Sequence, residues 1–219
     1  MFFEAMHPGW QLLLREQRLL LDSVEAKVTD LVGGGQQIAP ELVNVMKAFN
    51  SDPSLVRVLI VGQDPYPTQG HAIGLSFAVS EETSPLPRSL KNIMKELASD
   101  LPEVTATGRI ERWTQQGVLL LNRHLTTAVG QAGAHSKLGW DAFTDEVIRA
   151  LVARQAPLVA LLWGNHAAAL AELLDGARVL RAAHPSPLSA NRGFSGSRPF
   201  SSANRELISL GAEPIDWNC

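Results

Sequence analysis

Four short apolar runs constrain the fold of this chain more than any other feature of its sequence. They are RVLIVG at 57–62, VLLLN at 118–122, LVALLWG at 158–164 and RVLRAAH at 178–184. Runs of five to seven residues have the length of strands rather than of helices. The first three are apolar at successive positions, which is typical of strands buried on both faces in a parallel sheet covered by helices.

Segments with helical spacing alternate with these runs. The segments 40–49 and 90–101 each repeat apolar residues three and four positions apart. Further helices are predicted at 10–31, 140–151, 166–174 and 202–210. This alternation predicts an α/β fold: a single domain over 1–219, with a central four-stranded parallel β-sheet and helices on both faces.

The composition excludes disordered, fibrous and membrane-spanning classes of protein, because 45% of the residues are hydrophobic, 19% are charged and no apolar run approaches a membrane span. The net charge of −3 argues against nonspecific binding of polyanions, although 176–205 contains five arginines and no acidic residue. The sole cysteine, Cys219, excludes an internal disulfide or a four-cysteine cluster. Because the N-terminal segment lacks the long apolar stretch of a secretory signal, we expect a cytoplasmic protein.

The residues that follow the four apolar runs carry most of the candidate chemistry. In open parallel sheets, ligands bind beyond the carboxyl ends of the strands, so these residues are expected to share one surface. They bring a carboxylate, amides, hydroxyls and an imidazole to it: Gln63, Asp64, Tyr66, Asn122, Gly164, Asn165, His184, Ser186 and Ser189.

Three individual side chains admit both a structural and a functional interpretation. Asp64 precedes Pro65 and Pro67, whose fixed φ angles would hold a carboxylate in place; the alternative is an ordinary turn with a surface aspartate. Asn122 ends a strand, where its amide either presents a donor and an acceptor to a base edge or caps a turn. Phe77 alternates with Ile73, Leu75 and Val79 as residues on one face of a strand do, which favours a core position over a stacking role.

The turn after the fourth run, HPSPLS at 184–189, also has two interpretations. A lone histidine such as His184 is most often a solvated loop residue. Here two prolines restrict the loop, and its serines can bond to phosphate oxygens. Leu188 is an apolar residue in this polar turn, so it either packs into the core or acts as a wedge in a base stack.

Three segments together resemble family 1 of the uracil-DNA glycosylases: GQDPYPTQGHAIGLSF at 62–77, GVLLLN at 117–122 and HPSPLSANRGF at 184–194. Their order and spacing match the family, and the resemblance covers nearly the whole chain. It implies a four-stranded parallel sheet with helices on both sides. It also implies hydrolysis, without metal or cofactor, of the bond between uracil and deoxyribose in single- or double-stranded DNA, with the nucleotide flipped out of the duplex.

The resemblance assigns roles to individual residues. Asp64 would orient the attacking water and stabilise the oxocarbenium-like sugar, and His184 would donate a hydrogen bond to uracil O2. Both would act mainly in the transition state. Asn122 would pair with uracil O4 and N3, Phe77 would stack on the base, and the ring of Tyr66 would occupy the space that the methyl group of thymine requires.

Further residues are implied contacts to the DNA. Gln63 would contribute a main-chain contact to the base, and Leu188 would fill the space that the flipped base leaves. Expected partners are uracil-containing DNA and, because of the acid-free arginine segment, an inhibitor protein that mimics DNA; a monomer with no membrane association is expected. The implied phosphate contacts are Ser89, Gly164, Asn165, Ser186 and Ser189.

The chain departs from the family pattern outside the base pocket. Pro67 and Asn191 stand where many members have histidine, and Asn165 stands where many have serine. These departures concern the phosphate contacts rather than the reaction. Two alternatives stay open: a nonenzymatic nucleic-acid or nucleotide-binding α/β module, and a glycosylase of broader, mismatch type. The presence of both Asp64 and His184 argues against the binding module, and Tyr66 argues against the mismatch-type glycosylase.

Overall fold

A four-stranded parallel sheet forms the central layer of the protein. The computed structural model describes residues 1–219; in chain order its strands are β1 (Ile38–Ala39), β2 (Val58–Gly62), β3 (Val118–Asn122), β4 (Thr127–Ala128), β5 (Val159–Trp163) and β6 (Arg178–Ala182). The parallel sheet has the spatial order β3-β2-β5-β6, and β1 pairs with β4 in a separate antiparallel sheet. The four predicted strands are confirmed.

Six α-helices flank the sheet: α1 (Pro8–Leu13), α2 (Arg18–Gly33), α3 (Arg88–Asp100), α4 (Trp140–Ala153), α5 (Asn165–Ala168) and α6 (Pro199–Ser209). Helix α2 packs with α4, and α3 packs with α6. This cover is required because β2, β3 and β5 are buried along their whole length. Of the two edge strands, β3 and β6, only β6 has exposed residues, Arg178 and Arg181. The predicted α/β class is confirmed.

Three predicted helices differ from the observed ones. The segment 40–49 forms two 3-10 turns, Leu42–Asn44 and Lys47–Phe49, instead of a helix. Val45, Met46 and Phe49 of its apolar stripe are buried, whereas Leu42 is exposed. The valines and the asparagine of this segment favour a continuous helix only weakly. The predicted helix 10–31 breaks at Leu14 between α1 and α2, and the predicted helix 166–174 is the short α5 followed by a 3-10 turn.

One continuous apolar core extends from Phe2 to Cys219. Near its C-terminal end the ring of Trp113 lies 5.0 Å from that of Trp217 and 5.7 Å from that of Phe200, measured between centroids. No internal boundary divides this core, as expected for one domain. None of the helices combines the length and the apolar character needed to cross a lipid bilayer.

Candidate active site

The carboxyl ends of β2 and β3 lie side by side, and their backbone pairing continues past the strands. Gly62 pairs with Asn122 in the register of the two strands. The N–H of Arg123 then donates to the carbonyl of Gly62 over 2.8 Å, and the N–H of His124 donates to the carbonyl of Gln63 over 2.9 Å. The two segments that follow these strands are therefore held next to each other.

The ends of β5 and β6 meet at the same edge of the sheet. Trp163 pairs with Ala182, and the N–H of Gly164 donates to the carbonyl of Ala182 over 2.9 Å. A Cβ on Gly164, which has φ +88°, would lie 2.8 Å from the Cβ of His184. Glycine is required here because the loop backbone packs directly against the histidine.

Asn122 is nearly buried at the end of β3, with 5% of its surface exposed. A Cβ on Gly62 would overlap its Oδ1 and would lie 2.9 Å from the Cβ of Ser76. The amide makes no side-chain hydrogen bond within the protein, so its donor and its acceptor are both free to bind a ligand. This favours the interpretation of Asn122 as a ligand contact over that of a turn cap.

Phe77 has φ +61°, a backbone conformation that is rare for an aromatic residue. The strand parity used to interpret it is wrong, because 72–79 is an irregular loop joined only by a bridge between Ala72 and Val79. Its ring centroid lies 5.4 Å from that of Trp163 and 5.8 Å from that of His184. Strained backbone of this kind persists where packing enforces it and is concentrated at functional sites.

The phenol of Tyr66 is fixed by two hydrogen bonds. Its hydroxyl donates to the carbonyl of Phe77 over 3.2 Å and lies 2.7 Å from Oγ of Ser89. Burial raises the pKa of Tyr66 to about 12, with the Ser89 hydrogen bond opposing the shift, so the phenol is neutral. The contact also places Ser89, near the start of α3, beside the other predicted site residues.

His184 is held as a neutral imidazole with a defined tautomer. Its Nδ1 accepts the backbone N–H of Ser186 over 3.0 Å, so the ring proton is on Nε2. Burial, together with the nearby His166, lowers the pKa of His184, and the neutral form is favoured at physiological pH. The side chain therefore presents a single N–H donor to the crevice.

The turn 184–189 is stabilised by its own serines and by α3. Oγ of Ser189 donates to the carbonyl of His184 over 2.8 Å and lies 2.9 Å from Oγ of Ser186. Nδ2 of Asn92 in α3 donates to the carbonyl of Pro185 over 2.8 Å. Leu188 at the tip of the turn is 85% exposed, which excludes the interpretation that it packs into the core.

A cavity of about 560 Å³ opens at this edge of the sheet. Phe77 adjoins it through the rings of Trp163 and His184, and Asn122 adjoins it through Gly62, whereas Tyr66 lies one contact further away, bonded to Phe77. A cavity of about 680 Å³ lies beside β1, but its only charged lining residue is Glu41, so the chemistry of the lining identifies the smaller cavity as the candidate active site. The predicted site residues that line the smaller cavity are Gln63, Gly164, Asn165, His184, Ser186 and Leu188.

Asp64 is paired with a histidine that the sequence analysis did not identify. Oδ1 of Asp64 lies 2.7 Å from Nδ1 of His124, and Nε2 of the same ring lies 2.7 Å from Oδ1 of Asp141 in α4. A signal for His124 existed, since it follows β3 at the same edge as the predicted residues. For Asp141 the sequence offered no signal beyond its place in the first turn of a helix.

The arginine segment 176–205 does not form one surface at this edge. Arg178 lies at the opposite, amino end of β6 and pairs with Glu206, the two side chains being 3.6 Å apart. Arg192, by contrast, is exposed in the 3-10 turn that follows Leu188. No group of three or more His, Cys, Asp or Glu side chains has an arrangement that would hold a metal ion.

Comparisons with known proteins agree with this geometry. A family model described as "Uracil DNA glycosylase superfamily" matches residues 49–208. Uracil-DNA glycosylase 1 of Streptomyces coelicolor is 49% identical over 216 residues, which cover 98% of this chain and 96% of the relative. The uracil-DNA glycosylase of Mycolicibacterium vanbaalenii is 50% identical over 222 residues, with the same coverage.

Solved structures show the same architecture. The crystal structure of mimivirus uracil-DNA glycosylase has a TM-score of 0.91 at 25% identity, covering 100% of this chain and 90% of that chain. A variant of the mimivirus protein in complex with UGI also gives a TM-score of 0.91, at 26% identity, and covers 100% of this chain and 91% of that chain. From the family match and the relatives of about half identical sequence, the chain belongs to the uracil DNA glycosylase superfamily.

Proposed function

We propose that this protein is an enzyme that hydrolyses the N-glycosidic bond of deoxyuridine in single- or double-stranded DNA. It releases free uracil and leaves an abasic site for base excision repair. The observation that carries the proposal is one edge of the sheet, where the carboxylate of Asp64, the amide of Asn122 and the neutral imidazole of His184 lie at or just past the ends of β2, β3 and β6, beside the cavity that His184 lines. The family match and the names of the relatives support it.

Recognition of uracil rests on the amide of Asn122. Uracil presents an acceptor at O4 and a donor at N3, which match the N–H and the oxygen of one amide group. Cytosine presents a donor and an acceptor at the same positions, so the amide would face like groups. The packing of Gly62 against Oδ1 restricts the amide. The ring of Phe77, beside His184, would stack on the base.

Thymine is rejected by the ring of Tyr66 in this proposal. The two hydrogen bonds of the Tyr66 hydroxyl, to the carbonyl of Phe77 and to Ser89, keep the ring from moving aside. A methyl group at C5 of the base would therefore meet a fixed wall. This steric selection argues against a glycosylase of broader, mismatch type.

Bond cleavage uses Asp64 and His184 in complementary roles. The C1′–N1 bond breaks and its electron pair stays with uracil, whose O2 receives a hydrogen bond from Nε2–H of His184. The carboxylate of Asp64 stabilises the positive charge that forms on the sugar and orients the water whose oxygen bonds to C1′. That water loses one proton to the solvent, and the released uracil anion takes one up. Because His184 is neutral, it stabilises the leaving base without a full proton transfer.

A base within a duplex cannot reach this crevice, so the nucleotide must be flipped out of the stack. The exposed Leu188 is placed to fill the vacated space, and the turn that carries it is braced by Ser186, Ser189 and α3. The hydroxyls of these serines and of Ser89, the main chain of Gln63, and Gly164 with Asn165 would contact the base and the phosphates. These assignments are part of the proposal.

The protein acts as a cytoplasmic monomer in this proposal and has a second class of partner. A relative in structure was solved in complex with UGI. An acidic inhibitor protein that mimics DNA would compete with DNA for the face that bears Leu188 and the exposed Arg192. A titration in which inhibitor and oligonucleotide bind at the same time would contradict competition for one face.

The reaction is tested with an oligonucleotide that contains a single uracil. After incubation with the protein in excess chelator, alkali should cleave the strand at the uracil position, and free uracil should be recovered. The matched control is the same oligonucleotide with thymine, which should stay intact. Binding without any abasic product would support the nonenzymatic binding module instead.

A further inference from the structure

His124 lies between two carboxylates that belong to different parts of the fold. Asp64 follows β2 and Asp141 lies in the first turn of α4, yet each places an oxygen 2.7 Å from one ring nitrogen of His124. The His124 side chain is 8% exposed and that of Asp64 is 11% exposed. The backbone bond from His124 to the carbonyl of Gln63 fixes this position in the ladder that extends from β2 and β3.

This geometry fits the doubly protonated ring. A neutral imidazole has one N–H, so its other nitrogen would turn a lone pair toward a carboxylate oxygen at 2.7 Å. Oδ1 of Asp141 is shielded from solvent and has no aligned hydrogen-bond donor, so its contact with the ring is an ion pair. Burial disfavours the charge on His124, but Asp64 and Asp141 outweigh burial and raise its pKa.

Among the charged groups nearby, only His124 pairs with Asp64, whereas Asp141 is shared between His124 and Arg123. Arg123 pairs with Asp145 of α4, with 2.5 Å between Nη1 and Oδ1, while its Nε lies 3.7 Å from Asp141. His135 is hydrogen-bonded to two neutral side chains, and burial lowers its pKa, so it adds no charge at physiological pH. The imidazolium of His124 is therefore the nearest cation to Asp64.

We propose that His124 is a positioning residue that acts through Asp64: as an imidazolium held by Asp141, it fixes the catalytic carboxylate and offsets part of its negative charge. Oδ1 of Asp64 is occupied by the ring, and Oδ2 is left for the attacking water and the sugar. The inference rests on the proposed glycosylase activity. His124 would then assist Asp64 without contacting the base.

The proposal fixes the direction of a pH effect. The Nδ1–H of His124 holds Asp64 in both protonation states, so loss of the second ring proton leaves the carboxylate in place. Loss of that proton removes the positive charge that opposes formation of the sugar cation. The rate of uracil release should therefore rise, by about tenfold, as the pH increases through the raised pKa of His124 above 6.5. Protonation of His184 produces a separate loss of rate below 6.5.

The test compares single-turnover rates of uracil release across pH, with the enzyme in saturating excess over a single-stranded substrate, for the wild type and four variants. His124→Asn keeps an N–H for Asp64 but has no charge. Its rate should therefore show no step above pH 6.5 and should equal the wild-type rate on the alkaline plateau. His124→Val has no donor and should release uracil about tenfold more slowly than that plateau. Asp141→Asn should move the step to lower pH. Glu146→Gln, in the same helix but paired with Arg149, is the control and should leave the step unchanged.

The outcomes separate the two proposals. If the wild type releases no uracil, the proposed function fails. If it releases uracil but the step is absent, or persists in His124→Asn with the same midpoint, the role of His124 is wrong while the function stands. A merely structural role would lower the rate equally at every pH, and the ratio of His124→Asn to wild type would then be constant. KM for the oligonucleotide should change little in all four variants, because none of these residues is proposed to contact DNA.

Discussion

The two histidines beside the crevice operate under opposite electrostatic conditions. His184 accepts a backbone N–H at Nδ1, and burial lowers its pKa, so the ring is neutral. His124 meets a carboxylate at each nitrogen, and these two carboxylates raise its pKa in spite of burial. The base side of the site is therefore uncharged, whereas the Asp64 side is a network of ion pairs.

This difference has opposite effects on the two charges that the reaction creates. Negative charge develops on the leaving uracil, and a neutral donor stabilises it without giving up a proton. Positive charge develops on the sugar, where the carboxylate of Asp64 stabilises it; the imidazolium of His124 holds that carboxylate in place but offsets part of its charge. The neutral His184 therefore assists the leaving base, whereas the charged His124 positions Asp64 and weakens its effect on the sugar cation.

The largest effect is expected on the charged side. Asp64→Asn keeps the shape of the side chain but removes its charge, and we expect uracil release to slow by about 100- to 1,000-fold, or about 3–4 kcal/mol of barrier. Single-turnover kinetics measure the loss. The control Asp30→Asn, on the exposed end of α2, should have the wild-type rate. An equal loss in both variants would show that the effect is not local to the site.

The position of the neutral His184 is tested by a substitution in the backbone that packs against it. Gly164→Ala places a Cβ against the Cβ of His184 and should displace the ring, at a loss of about 100-fold in rate. Gly176→Ala is the matched control, since Gly176 also has positive φ but no atom within 4 Å of the added Cβ. If both variants lose the same activity, backbone strain rather than the position of His184 explains the result.

The steric wall of the base side is tested by selectivity. Tyr66→Ala opens space beside C5 of the base, and the preference for uracil over thymine should fall by about 10- to 200-fold. The measurement is the ratio of release rates from matched oligonucleotides. Tyr66→Phe keeps the ring but loses the two hydrogen bonds that hold it, so the preference should fall less than in the alanine variant. Strict selectivity for uracil in the alanine variant would contradict the steric account.

The smallest effect concerns stability, and its sign differs between the two histidines. The pKa of His184 is lowered from 6.5, so its contribution to stability is lost as the pH falls below 6.5. The pKa of His124 is raised, so its contribution is full below 6.5 and is lost as the pH rises through the raised value. Each slope is limited to about 1.4 kcal/mol per pH unit. Urea unfolding across pH should therefore show the acid loss disappear in His184→Gln and the alkaline loss disappear in His124→Asn; slopes of the same sign would contradict the comparison.

The sequence predicted the sheet because buried parallel strands leave a strong local signal in runs such as VLLLN. The residues placed at the strand ends followed from that prediction. The sequence pattern was misleading at Phe77. The apolar residues around it alternate as in a strand, but the segment is a loop in which Phe77 has a positive φ. The pairing of His124 with Asp141 was beyond prediction, since it depends on how α4 packs against the segment that follows β3.

The strand order described above also has a consequence for how the chain acquires its structure. β2 lies between β3 and β5, and β5 follows it by about a hundred residues in the sequence. During synthesis the apolar β2 therefore stays without one of its neighbours until most of the chain has left the ribosome. Such non-local pairing slows folding and leaves an aggregation-prone intermediate with exposed apolar surface. We therefore expect nascent fragments that end before β5 to depend on chaperones.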